Sequence, residues 1–166
     1  MIGRSAAAPP AGKGDEMPAD IAAVTDALRE NPVFARLDAK RLRIVALTGE
    51  TLSFRPGERL FDRGEAGDAA YVVITGVADV AIPTPEGETV IARLGRGELF
   101  GEIAALCDRP RTTAIRAEDE LVCLRLDRDE LRSILQEFPA LALELIRIIS
   151  DRLERTNDAL AASARS

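Results

Sequence analysis

The chain has 166 residues, of which 46% are apolar and 30% charged, enough for one globular domain with a core and unlike a disordered chain. Its net charge of -6 speaks against a surface that tracks nucleic-acid phosphates, because such binding rests on Lys and Arg. There is no histidine, so most zinc hydrolases, Ser-His-Asp and Cys-His nucleophile systems, and His-ligated iron or haem sites are excluded by inventory.

The first residues, MIGRSAAAPPAGKGDEMPAD, hold no apolar run of the kind a secretory signal needs, and no run in the chain approaches the roughly 20 apolar residues that span a bilayer. Residues 1–17 read as a loose Ala/Pro/Gly-rich leader of a cytoplasmic protein. An N-terminal helical segment is expected over 18–47. In it Ile21, Val24 and Leu28 share one helical face, Asn31-Pro32 breaks the pattern, and Asp38 is placed to cap a second helix before Leu42, Ile44, Val45 and Leu47.

From 48 to 126 the period shortens to strands. Runs such as ERLFDRG, AAYVVITGVADVAIP, ETVIARL and ELVCLRL are rich in Val, Ile, Leu and Thr and are separated by glycine and proline turn signals. This pattern predicts a mostly β domain with flanking helices, a small jelly-roll β-roll. Helix returns over 127–163: Asp127 and Glu130 form a capping-box pattern, and Pro139 suits the first position of a long helix of about 35 Å.

On that helix Ala142, Ile146, Ile149, Leu153, Thr156 and Leu160 form a heptad-like seam suited to a second copy of the chain, while Leu141, Leu145 and Ile148 form a stripe for the roll. The competing reading packs both stripes on the roll. The run Arg152, Glu154, Arg155 reads as a solvated face, and Cys107 and Cys123, in apolar surroundings, as free thiols in a reducing compartment.

The chemistry concentrates in GELFGEIAALCDRPRTTA, residues 97–114. Gly97 is expected to end a strand and Gly101 to allow close backbone approach, and Glu102 to Leu106 suit one helical turn whose free N–H groups face the Phe100-Gly101-Glu102 corner. Arg111, expected at the start of the next strand, can take a phosphate with its planar fork, and Thr112 adds a donor. With Glu102 as acceptor and Val80 and Ile103 as apolar walls, these residues suit a ligand with one phosphodiester charge, a sugar hydroxyl and a flat base.

At these residues the chain resembles the cyclic nucleotide-binding domain family, which includes the bacterial catabolite activator and the regulatory subunits of cyclic-nucleotide-dependent kinases. The resemblance runs from Asn31 to Leu160 and rests on Phe100-Gly101-Glu102, the turn Ile103, Ala104, Ala105 and Leu106, and Pro110-Arg111-Thr112-Thr113-Ala114, with Gly57, Gly64 and Gly76 in matching places. It implies that Glu102 binds the ribose 2'-hydroxyl, that Arg111 binds the cyclic phosphate, and that Thr156 and Asn157 cap the base.

The resemblance also implies a cAMP or cGMP ligand, no metal, no catalysis, and output through an unidentified effector or through a homodimer formed by the C-terminal helix. Direct DNA binding is not expected, since the sequence past Leu160 is only AASARS. Three other readings stand beside it: a Glu102–Arg111 ion pair that merely stiffens the roll, a ligand-free member of the family, and a metal-free cupin-like isomerase.

Overall fold

The computed structural model describes residues 14–164. Two helices open it, α1 (Ile21–Arg29) and α2 (Ala39–Thr48), joined through a 3-10 turn at Phe34–Arg36. Asp20 caps α1 by accepting from the Ala23 N–H, and Asp38 caps α2 by accepting from the Arg41 N–H, the role its position predicts. Nine strands include β1 (Asp15–Glu16), β2 (Glu50–Phe54), β3 (Arg59–Phe61), β4 (Ala69–Thr75), β5 (Ala78–Thr84) and β6 (Gly87–Leu94). After β7 (Leu99–Phe100) comes the short helix α3 (Glu102–Cys107), followed by β8 (Ala114–Ala117) and β9 (Leu121–Asp127). Two helices close the chain, α4 (Arg128–Glu137), opened by the Asp127/Glu130 capping box, and α5 (Pro139–Ala164).

The strands form two antiparallel sheets, ordered β1-β2-β9-β4-β7 and β3-β8-β5-β6, the expected β-roll with helices against one side. The alternation of side chains along β4 and β9 divides the core in two. Tyr71, Val73, Leu121 and Cys123 point into the roll with Phe54, Leu60, Phe61, Phe100 and Ile115. Ala70, Val72, Ile74, Leu124 and Leu126 point the other way, onto Leu28, Phe34, Leu42, Leu131, Leu141 and Leu145 of the helices. Strand β4 is therefore covered on both faces, which is why its sequence AAYVVIT is almost continuously apolar.

Five details differ from the sequence reading. Residues 1–13 of the expected leader lie outside the described residues, but Asp15 and Glu16 pair with Ser53 and Leu52, and the Met17 N–H donates to the Thr51 carbonyl, so the leader does not run to residue 17. The pairing leaves both residues exposed, and the Ser53 hydroxyl adds a bond to the Asp15 carbonyl at 3.3 Å. Gly97 sits in the turn between β6 and β7 rather than at a strand end, and Arg111 lies in the loop before β8. Cys107 is exposed rather than set among apolar groups. On α5, Ile149 packs on the helical core with Ile148, so it does not belong to an outward seam; Ile146, Leu153 and Leu160 do face solvent. Among the described residues no helix is long and apolar enough to cross a membrane.

Candidate ligand site

The site is assembled where β7, α3 and the loop before β8 meet the end of β4. Tyr71 on β4 pairs with Phe100 on β7, and their rings stack at 5.3 Å between centroids. Phe61 from β3 packs against both, at 6.0 and 6.3 Å. These three rings fill the roll beneath the site, and the Arg111 guanidinium lies over the Phe61 face at 4.0 Å.

Arg111 is 4% exposed. Its backbone is clamped by residues 64 and 65: the Arg111 N–H donates to the Glu65 carbonyl, and the Gly64 N–H to the Arg111 carbonyl, each at 2.8 Å. The side chain donates from Nη1 to the Gly101 carbonyl at 2.8 Å and from Nη2 to the Ala69 carbonyl at 2.7 Å. Nε is buried and has no protein partner, and none of the ion pairs among the described residues involves this side chain. Burial pulls the Arg111 pKa down, with only partial compensation from Tyr71, Asp68 and Glu65 nearby. A desolvated guanidinium that forms no ion pair is costly, and its open donor is suited to an anion.

Gly101 is what lets Arg111 come this close. Its φ of 78° opens α3 in the left-handed region, and a Cβ there would lie 2.7 Å from Arg111 Nη1. Glu102 follows as the first residue of α3 and is 3% exposed. Its Oε1 accepts from Arg152 Nη1 on α5 at 3.1 Å, while Arg152 Nη2 donates to the Leu99 carbonyl at 2.8 Å. Burial pushes the Glu102 carboxyl up, against the Arg152 charge, which pulls it down.

Two readings change here. The stiffening Glu102–Arg111 ion pair is not formed among the described residues, because the Arg111 fork is taken by backbone carbonyls and Glu102 pairs with Arg152. Arg152 in turn is no solvated charge: it is the next member of the inward row Leu141, Leu145, Ile148 and Ile149, and the helical period carries it onto the roll.

Of the other expected site residues, Ala104 is buried, Thr113 and Val80 are half-buried, and Ile103 and Thr112 are exposed on either side of the cassette. Thr156 and Asn157 lie in the exposed turn of α5 after Arg152, and the Thr156 hydroxyl donates to the Arg152 carbonyl at 3.0 Å. The structure thus brings Phe100, Gly101, Glu102 and Arg111 into one corner, with α5 reaching it through Arg152, while Ala104 packs towards Gly67. Among the described residues no group of three His, Cys, Asp or Glu side chains is arranged to hold a metal ion.

Sequence comparison matches residues 51–138 to the cyclic nucleotide-binding domain model. The chain is 34% identical over 121 residues to a CRP-like cAMP-activated global transcriptional regulator of Mycobacterium tuberculosis, covering 71% of this chain and 54% of that protein. It is 42% identical over 83 residues to a cGMP-dependent protein kinase of Eimeria tenella, covering 50% of this chain and 8% of the kinase. The chain thus spans about half the length of the first relative and a small part of the second. Among solved structures, the catabolite activator protein of Thermus thermophilus is similar with a TM-score of 0.73 and 25% identity, over 81% of this chain and 63% of that one.

The raised pKa of Glu102 has a consequence for stability. A carboxyl whose pKa is higher folded than unfolded contributes favourably below its unfolded value, about 4.3, and that contribution is lost as pH rises through the folded value. At pH 7 the charged side chain therefore opposes folding. Glu102→Gln is expected to melt above wild type at pH 7 in the absence of ligand, with the gap narrowing as the pH falls into the carboxylate range; a variant melting below wild type at pH 7 contradicts this.

Proposed function

The chain belongs to the cyclic nucleotide-binding domain family, and from that premise we propose that it is a non-enzymatic sensor of a 3',5'-cyclic nucleotide, cAMP or cGMP. The observation that carries the reading is Arg111: a buried cation held by two carbonyls over an aromatic floor, with Nε unpaired. A cyclic phosphodiester bears one negative charge and acceptor oxygens, so it neutralises the guanidinium and takes the open donor. The family itself is regulatory, and its members named above are described by cAMP activation or cGMP dependence.

In this reading the phosphate sits between Arg111 and the N–H groups that open α3, beside Phe100, Gly101 and Ala104, with Thr112 and Thr113 as further donors. Glu102 accepts from the ribose 2'-hydroxyl, and Arg152 remains on the carboxylate as its counter-charge. Val80 and Ile103 flank the base, and Thr156 and Asn157 close over it. Since Arg152 ties α5 to both Glu102 and the Leu99 carbonyl, occupancy of the corner changes where α5 rests. Ile146, Leu153 and Leu160, seven residues apart and about 60% exposed, then form the seam of a homodimer through which, or through an effector protein in the cytoplasm, the signal leaves.

Truncating one partner of a buried charged contact costs about 2 to 5 kcal/mol, roughly 30-fold to several thousand-fold in affinity. Arg111→Ala is expected to lose cyclic nucleotide binding by that factor in calorimetry; a variant within threefold of wild type removes Arg111 from the site. A 2'-deoxy ligand strands Glu102 at a cost of about 1 to 3 kcal/mol. Wild type should therefore prefer ribose more strongly than Glu102→Gln does, so an equal ribose preference in the two proteins would contradict the role of Glu102.

Truncation after Ser150 removes Arg152, the proposed cover and two of the three exposed apolar seam residues. It should yield a monomer by light scattering and weaken nucleotide binding. A truncated protein that stays dimeric and binds as tightly as the full chain shows that the helix does neither.

A further inference from the structure

Strand β6 (Gly87–Leu94) is the outer member of the second sheet. It is bonded to β5 on one side, and among the described residues no strand lies along the other. Of its eight residues only Leu94 is buried, and Ile91, beside the half-buried Val90, is 54% exposed. An edge of this length leaves a row of N–H and C=O groups open to another strand, and proteins ordinarily blunt such edges with charge, proline or a bulge. In β6 the charge and the bulge are arranged so that they favour one partner.

The register with β5 slips by one residue: Ala81 faces Val90 and Val80 faces Ala92, so Ile91 is the extra residue of a bulge. Glu88 and Arg93 stand an odd number of positions apart, which in an unbroken strand would put them on opposite faces. Here they share one face, joined in a single ion-pair network. Glu88 accepts from Arg59 Nη2 at 2.7 Å and from Arg116 Nη1 at 3.2 Å, Arg116 Nε lies 3.8 Å from Asp79 Oδ2, and Arg93 Nε lies 3.3 Å from Asp79 Oδ1. Ala78 and Leu94 point into the roll, so Asp79 and its partners line the outside.

That pattern is self-complementary. When two β6 strands are laid antiparallel with their centre between Val90 and Ile91, Glu88 of each faces Arg93 of the other, Thr89 faces Ala92, and Val90 faces Ile91. Both ends attract, the exposed apolar residues at the middle cover each other, and the open backbone groups of the two edges find partners. A shift of one residue either way sets both charges against uncharged residues. Arg93 meets Asp79 and Glu118 through Nε, and no ion pair among the described residues uses its Nη groups.

We propose that the free edge of β6 is a self-association surface, on which a second copy of this chain lays its own β6 antiparallel and continues the four-stranded sheet. Two edges bury less area than a stable dimer needs, so the contact is weak between single chains. It becomes cumulative when α5 dimers present two edges each, joining them into tetramers or longer chains. The inference makes no use of the nucleotide reading.

Sedimentation velocity on the full chain over a concentration series, without ligand, tests it. Wild type should grow with concentration into species larger than the α5 dimer. Glu88→Arg and Arg93→Glu should each weaken that association on the order of tenfold, since like charges then face each other. Mixed in equal amounts the two variants should recover it, because one then presents only positive and the other only negative charge across the contact. Ile91→Lys, which sets a charge at the centre, should lose the association and serves where a charge variant fails to fold.

A wild type of constant size across the series, association that the variants leave unchanged, or a mixture no larger than its separate components overturns the pairing. If the α5 seam fails, wild type grows from monomer to dimer through β6 instead, and the same exchange of charges decides.

Discussion

A cation held out of water with no ion-pair partner among the described residues is the constraint from which the rest of the site can be derived. Arg111 is kept in place by two backbone carbonyls, by the face of Phe61 and by a main-chain clamp at residues 64 and 65. Each support imposes a requirement elsewhere. The Gly101 carbonyl is available only because residue 101 adopts a left-handed conformation without a side chain, and the Ala69 carbonyl only because β4 begins where the Gly64–Asp68 loop ends. The aromatic trio exists because β3, β4 and β7 converge inside the roll. None of these supports brings a negative charge, so the arrangement stores electrostatic potential at the corner.

The second buried charge, Glu102, is treated differently. It meets Arg152, a side chain 50 residues away in sequence, and the pair bridges α3 to α5. Burial raises the Glu102 pKa and disfavours its charged form at this corner, against the pull of Arg152. The two charges thus divide the labour: one is fixed to the roll and lacks a counter-charge, the other is joined to the helix that leaves the roll.

Much of the fold is legible in the sequence because its signals are local. Asp38 and the Asp127/Glu130 box mark helix starts by their own hydrogen-bonding chemistry and Pro139 by its fixed backbone angle, and short runs of Val, Ile, Leu and Thr between turn residues mark the strands. Glu102 and Arg111 stand out because a carboxylate and a guanidinium flank a short apolar turn. What stays hidden is contact made through main-chain groups. Nothing in the residue types of Asp15 and Glu16 announces a strand, since the pairing is made by their backbone, and Arg128 bonds the carbonyls of Ala105 and Gly67, groups that any residue carries. Arg152 is masked by its neighbours in DRLER, although its phase on the inward face of α5 carries the information. The division of the α5 stripes, with Ile149 packed on the helical core and Leu153 exposed, is set by tertiary packing, which sequence period does not encode.

The central claim is that Arg111 Nε, buried and without a protein partner, is the donor for a cyclic phosphate. Arginine side-chain proton–nitrogen NMR tests it directly, with the Arg111 Nε–H signal assigned by its disappearance in Arg111→Lys. Addition of cAMP or cGMP is predicted to shift that signal downfield and slow its exchange with water, whereas AMP, which lacks the cyclic diester, leaves it unchanged. A cyclic nucleotide that binds while the Arg111 signal stays where it was, or a wild-type protein whose signal answers to neither nucleotide, would contradict the account.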